Sequence, residues 1–383
     1  MDRAALATEL LGLEGKWLKP FEVDDPFEGT RLAGFLSIKP DHRYGALAIL
    51  EVDGRAAPQR VLATPKLHYP FDRQGTFRFP PTKRIEIYEK LDGTNVLAYR
   101  YQDADGKPRL TYKLRLHPVL RNGKWGPFLD LWREILAAHP DIPSLVDKNG
   151  MSLSFELYGA RNPHLMLYDV PLAGALLFGL DAHGRAHPPS GLEKGAVPVP
   201  RLFGTLEAGA DPVAEYRRIR EEMEKGNRKI EDEHLAGTEG TVWYVTTAAG
   251  EIVLFKCKPE SVEAFHWATG INKAAVLATC WNLLETQDIL SYETLRPLLL
   301  EEYQEDDIER FRPNVDASIA EVNRALDFRR LVREEYEKTG LSFAADRAGV
   351  MRALSAKFKR EDMKKVFSAL SAALARESGR KAT

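Results

Sequence analysis

Four features of the sequence carry reactive chemistry, and they stand in order along the chain. The first is Lys90, in Tyr88-Glu89-Lys90-Leu91-Asp92-Gly93-Thr94-Asn95. The others are Glu156 in Phe155-Glu156-Leu157-Tyr158-Gly159, Glu239 in Glu239-Gly240-Thr241-Val242, and the pair Lys256 and Lys258. A lysine amine is a poor nucleophile while protonated and a good one once burial or nearby cations lower its pKa. Carboxylate oxygens suit a hard divalent cation such as Mg2+. Together these groups form a set for moving a nucleotidyl group. Lys90 would attack the α-phosphate of a nucleoside triphosphate and form a phosphoramide. Lys256 and Lys258 would neutralise that phosphate and, by repulsion, keep Lys90 deprotonated. Glu239 would hold the metal, directly or through water, and Glu156 would accept a hydrogen bond from a ribose hydroxyl. Taken alone, Lys-x-Asp-Gly reads as a hairpin turn with a solvated lysine. The ordered set is what argues for chemistry.

The elements that must position these groups are legible from periodicity. Arg84-Ile85-Glu86-Ile87-Tyr88 alternates with the period of a half-buried strand, which delivers Lys90 onto a tight turn. Residues 96–101 and 109–116 read as strands joined at Asp105-Gly106, with Lys113 and Arg115 on one face. Residues 151–159 alternate so that Glu156 faces away from Leu153, Phe155 and Leu157. Residues 174–181 form a second apolar strand. Residues 237–245 and 251–259 read as a hairpin turning at Ala249-Gly250, with Lys256 and Lys258 sharing a face. Upstream, residues 34–38 and 46–52 read as strands and 3–13 as a short helix. Residues 64–71 are too proline-rich for a central strand and read as an ordered loop, with Lys66 and His68 either facing the site or solvated. Residues 126–139 form an amphipathic helix, and 211–225 a charged helix with an Asp-Pro start.

From Pro259 onward the pattern changes to helices. The reading is α+β, with one domain over 1–259 that carries the nucleotidyl-transfer set and an all-helical domain over 260–383. The last helix spans 361–374, with Met363, Val366, Phe367, Leu370 and Leu374 on one stripe. Residues 301–309 are acidic. Residues 350–383 are basic, and form either a solvated face or a surface for a nucleic-acid backbone. The chain has 383 residues, 44% of them hydrophobic, and a net charge of −2, so any nucleic-acid surface must be local. Cys257 and Cys280 give neither a disulfide framework nor a zinc spacing, which fits a reducing cytoplasm. The first residues lack a signal peptide's apolar region, and no run approaches the roughly 18 apolar residues of a membrane span.

The chain resembles the covalent nucleotidyltransferase superfamily, that is, ATP-dependent RNA and DNA ligases and mRNA capping enzymes. The resemblance covers roughly residues 60–260. Lys90-Leu-Asp-Gly-Thr-Asn95 resembles the nucleotidyl-lysine motif, and its Gly-Thr-Asn ending looks like the RNA-ligase branch. Phe155-Glu-Leu-Tyr-Gly159 resembles the ribose-binding motif. Leu177-Phe-Gly-Leu-Asp181 resembles the segment whose aromatic ring stacks on adenine, which gives that role to Phe178. Glu239-Gly-Thr-Val242 resembles the metal motif, and Lys256-Cys-Lys258 the final phosphate-binding pair. The resemblance implies antiparallel sheets with flanking helices, and ATP with Mg2+ or Mn2+ between them. It also implies three steps: Lys90 takes AMP from ATP, AMP passes to a 5′-phosphate on a polynucleotide, and a 3′-hydroxyl seals the strand. Further roles follow from it. Asn95 joins the nucleotide site. Glu89 contacts the adenine edge or is solvated. Asp92 holds a metal-bound water or makes the turn. Arg115, in preference to Lys113, takes a phosphate, and Lys66 reaches the β- and γ-phosphates.

DNA ligases and capping enzymes are expected to carry an oligonucleotide-binding barrel after Lys-x-Lys, whereas this chain continues as helices. That favours an RNA ligase acting on RNA 5′-phosphate and 3′-hydroxyl ends. The alternatives are a DNA ligase without its barrel and a nucleic-acid-binding relative that has lost catalysis. The oligomeric state is left open, a homodimer through the helical tail included.

Overall fold

The computed structural model describes residues 2–39, 41–72, 75–123, 126–231, 234–262, 273–286, 289–303, 305–343 and 345–371. The chain divides into two compact units, Met1–Gly270 and Ile271–Thr383. The sequence pattern puts the change of character at 259/260.

The first unit begins with helix α1 (Arg3–Leu11) and a four-stranded antiparallel meander, β1 (Leu18–Asp24), β2 (Arg31–Ser37), β3 (Leu47–Val52) and β4 (Arg55–Val61). The sequence reading finds only β2 and β3. The outer strands contain Pro20 and Pro58, which read as strand breakers but are tolerated at a sheet edge. One face of this sheet packs on α1 through Ala46, Ala48 and Leu50. The other packs on Tyr99 and Tyr101.

Next come β5 (Thr82–Lys90), β6 (Thr94–Gln102), β7 (Pro108–Lys113), α2 (Phe128–Ala138), α3 (Ile142–Asn149), β8 (Ser152–Tyr158), β9 (Ala173–Leu180) and β10 (Ala186–His187). They are followed by β11 (Leu202–Glu207), α4 (Pro212–Gly226), a small hairpin of β12 (Arg228–Glu231) and β13 (His234–Ala236), then β14 (Gly240–Thr247) and β15 (Ile252–Cys257). Two antiparallel sheets result, ordered β10-β9-β8-β6-β7 and β11-β5-β14-β15. Helices α2 and α3 bury Trp132, Ile135, Leu145 and Val146 against Val96, Leu153, Phe155 and Leu157 of the first sheet. Each such aliphatic or Phe side chain contributes roughly 1.5–3 kcal/mol. Helix α4 covers the second sheet with Tyr216, Ile219 and Met223 against Ile85, Ile87, Trp243 and Val245. Its N-cap is the expected Asp211, whose side chain accepts from Val213 and Ala214 N–H groups. Between the sheets lies a third apolar group, in which Tyr88, Phe178, Tyr244 and Leu254 meet.

The second unit is helical throughout its described residues, with helices over Lys273–Thr286, Tyr292–Glu302, Glu305–Arg310, Arg312–Thr339 and Arg347–Leu354. Ser291 opens the second of these with a capping box to Thr294. Residues 363–371 are also helical, and Leu374 of the expected stripe lies outside the described residues. Val366 and Leu370 join the core there, but Phe367 is 43% exposed and off the buried stripe. Among the described residues no helix is long and apolar enough to cross a membrane.

Candidate active site

Lys90 is the last residue of β5, a strand hydrogen-bonded on both edges. The β5–β14 register sets Lys90 opposite Gly240, so Glu239 arrives beside it. Lys90 Nζ donates to Glu239 Oε2 at 2.5 Å, and Lys258 Nζ lies 2.9 Å from Glu239 Oε1. Glu239 and Lys258 are almost wholly buried, at 4% and 3% exposure. After Lys90 the chain must pass close under β8. A Cβ on Gly93 would stand 2.3 Å from the Leu157 carbonyl oxygen, which is why that position tolerates only glycine.

The β6–β8 register pairs Asn95 with Glu156 and completes the floor of the site. Asn95 Nδ2 donates to Ser154 Oγ at 2.8 Å and to the Phe155 carbonyl at 3.1 Å, and its Oδ1 accepts from Thr64 Oγ1 at 3.2 Å. Glu156 is 8% exposed. Burial pushes its carboxyl up to about 8, helped by Glu239 and Asp92 and opposed by Lys90.

One sequence expectation is corrected here. Repulsion from Lys256 and Lys258 does not leave Lys90 neutral. Burial and Lys258 do push its pKa down, but Glu239, Asp92 and Glu156 outweigh them and hold it above the usual lysine value. The contact at 2.5 Å with a buried carboxylate wins because it is the shortest charge–charge distance Lys90 makes. Lys256 is placed differently from Lys258, with its Nζ 4.7 Å from the centre of the Tyr69 ring.

Residues 64–71 lie along the free edge of β15. His68 bridges Phe255, and Lys256 N–H donates to the His68 carbonyl at 2.8 Å. Burial and then the charges of Lys66 and Lys256 lower the His68 pKa. Glu89 is paired through its N–H to the Arg201 carbonyl at 2.8 Å, and burial raises its carboxyl pKa against the pull of Arg201. Phe178 is only 6% exposed and packs with Tyr88 and Tyr244 in the apolar layer between the sheets. Lys113 and Arg115 differ sharply. Lys113 is 1% exposed, and its Nζ donates to the carbonyls of Gly45 and Arg115 at 3.0 Å each. Burial brings its pKa down to about 7. Arg115 lies just past the end of β7, partly exposed and beside Gly45.

Asp92 holds the turn. Its N–H donates to Tyr168 Oη at 2.7 Å, and its Oδ2 accepts from Met166 N–H at 2.8 Å. Its Oδ1 is 4.0 Å from His164 Nδ1. The sequence reading missed this clasp of residues 162–168 because it runs from a loop with no periodicity to a turn some 70 residues away. Among the described residues no group of three or more His, Cys, Asp or Glu side chains gathers as a metal site. That donor set fits Mg2+ bound through one carboxylate, Glu239, with phosphate and water oxygens, and does not fit an all-protein cage.

No family model matches the chain, and no curated protein matches it. Its fold is similar to solved ligase structures at low identity. An archaeal ATP-dependent RNA ligase is 16% identical over 85% of this chain and 82% of that one, with a TM-score of 0.48. An Aquifex aeolicus protein provisionally named an ATP-dependent DNA ligase is 12% identical over 90% and 86%, with a TM-score of 0.39. A mutant Naegleria gruberi RNA ligase with ATP and Mn is 15% identical over 49% and 52%, with a TM-score of 0.34.

Proposed function

We propose that the protein is an ATP-dependent RNA ligase of the covalent nucleotidyltransferase superfamily, working through a lysyl-AMP on Lys90. The observation that carries this reading is the set of half-buried Lys90 with buried Glu239 and Lys258, with contacts at 2.5 and 2.9 Å, facing Glu156 between two sheets. Lys90 attacks the α-phosphate of ATP; the N–P bond forms, the bond to the bridging oxygen breaks, and pyrophosphate leaves. AMP then passes to the 5′-phosphate of RNA, a 3′-hydroxyl displaces it, and Lys90 is regenerated.

Each group has its part. Lys90 must first lose a proton. Glu239 is the carboxylate that would hold Mg2+ or Mn2+, with Asp92 the next carboxylate at that end of the site. A divalent cation there supplies charge neutralisation for Glu239 and the phosphates. Burial and Lys258 act on Lys90 in the direction of the free amine, against Glu239. Lys258 and Lys256 stabilise charge on the in-line phosphorus, and Lys66 extends that set toward the β- and γ-phosphates. Glu156 takes a ribose hydroxyl, Asn95 orders the floor beneath it, and Glu89 faces the adenine edge. Phe178 stacks on adenine, and Arg115 takes a phosphate. The helical region after Lys-x-Lys, without a strand among its described residues, supports RNA over DNA. The buried cysteines Cys257 and Cys280, neither of which forms a disulfide, suit a reducing cytoplasm.

The test is incubation with α-labelled ATP and Mg2+, for the wild type and Lys90→Ala, on a denaturing gel. The expected result is an acid-labile labelled band absent from the mutant and chased by 5′-phosphorylated RNA. A chase by DNA alone would assign DNA ligation, and no wild-type band with ATP or GTP would end the ligase reading.

A further inference from the structure

Helix α4 lies behind the sheet that carries the reactive groups, and its side chains grip the backbone on both sides of them. Asn227, the C-cap of α4, makes the most specific grip. Its Nδ2 donates to the Thr238 carbonyl at 3.0 Å, and its Oδ1 accepts from the Thr238 N–H at 2.8 Å. One side-chain amide thus engages both backbone groups of the residue before Glu239, as a neighbouring strand would. The same Nδ2 lies 3.3 Å from Ser261 Oγ. The approach needs Gly237, which has φ +130° and where a Cβ would stand 2.1 Å from Asn227 Oδ1.

The other residues on that stripe of α4 act on the Lys-x-Lys strand. Tyr216 Oη donates to the Lys256 carbonyl at 3.2 Å, and Arg220 Nε donates to the Lys258 carbonyl at 3.1 Å. Glu224 Oε2 accepts from Ser261 N–H at 2.7 Å. Positions 216, 220, 224 and 227 follow the spacing of four and three that aligns side chains along one helix face. Glu239 and Lys258 meet at 2.9 Å, and both are referenced to one rigid rod.

We infer that Asn227 is the positioning residue for Glu239, and that α4 fixes the carboxylate and the two lysines as one unit. Asn227 touches none of the reacting groups. It acts by holding the Thr238 backbone, so that both Glu239 oxygens reach Lys90 and Lys258 together. Small displacements at such centres are costly. The catalytic meaning of this inference rests on the proposed reading of Glu239, but the hydrogen-exchange half of its test does not.

The experiment compares wild type with Asn227→Ala and Asn227→Ser in the full-length protein by two readouts, amide hydrogen exchange and label transfer from ATP with Mg2+. Both variants lose the paired grip on Thr238, so the Thr238 amide should exchange at least about threefold faster while the middle of β5 keeps its wild-type rate. In label transfer, kcat for lysyl-AMP formation should fall at least about tenfold with KM for ATP little changed, because the carboxylate is displaced and the nucleotide pocket is not. Asn227→Ser decides the matter if Asn227→Ala does not fold. Unchanged exchange at Thr238, or faster exchange with unchanged kcat, would overturn the inference. So would failure of both variants to fold, which would assign Asn227 a general structural role. A wild type that takes no label from ATP would end the ligase reading and leave the exchange comparison standing.

Discussion

Replacing Glu156 by Gln should change the stability of the protein in a pH-dependent way whose sign and size follow from burial. The Glu156 carboxyl is pushed up from 4.5 to about 8 in the fold, first by desolvation and then by Glu239 and Asp92, against Lys90. Between those values the folded protein keeps a proton that the unfolded chain has released. The contribution of Glu156 to stability is therefore complete below pH 4.5 and is lost progressively as pH rises toward 8. Each pH unit in that window costs about 1.4 kcal/mol, so going from roughly pH 5.5 to 7.5 costs about 2–3 kcal/mol. Gln has nearly the same shape and no charge to bury, and escapes this loss. The advantage of Glu156→Gln over wild type should therefore grow by about 2–3 kcal/mol across that interval. Urea unfolding of both proteins at the two pH values measures it, because groups common to both cancel. Stabilities that run parallel across the interval would refute the assignment of Glu156 as a buried, proton-holding carboxyl.

Lys258→Met should slow self-adenylylation by about 100-fold or more, since it removes a buried cation from beside the phosphate and leaves Glu239 with one partner fewer; label transfer from ATP measures this. Gly93→Ala should destabilise the protein by about 1–3 kcal/mol, because its Cβ would fall 2.3 Å from the Leu157 carbonyl and neither backbone can easily yield; the thermal midpoint reports it. Tyr168→Phe removes the acceptor for the Asp92 N–H and should cost about 1–3 kcal/mol of stability. Single-turnover adenylylation of that variant should slow as the turn after Lys90 loosens.

The placement of these side chains on their strands was readable because strands betray themselves by a period of two and because the motifs stand in order along the chain. That placed Lys90 at a strand end, Glu156 away from the Phe155 layer, and Lys256 and Lys258 on one face. What periodicity does not carry is depth and distance. Lys113 and Arg115 look equivalent in sequence, yet one is buried on two carbonyls and the other is partly exposed. The charge state of Lys90 turns on a contact with a residue some 150 positions away, so counting nearby lysines gave the wrong sign. β1 and β4 were hidden by prolines that an edge strand can accommodate. The Asp92–Met166 and Asn227–Thr238 contacts join loops and caps, where no repeat announces them.

The position of Lys90 at the end of a strand flanked on both sides has a consequence for how the molecule breathes. Amides of β5 are locked by β11 and β14, so they exchange with solvent deuterium only when the sheet itself opens. Loop backbone such as residues 160–170, which reaches the same centre, has fewer such locks and opens at lower free energy. Lys90 therefore stands at the end of a strand whose amides exchange through opening of the sheet, while the backbone that braces its turn exchanges through opening of a loop.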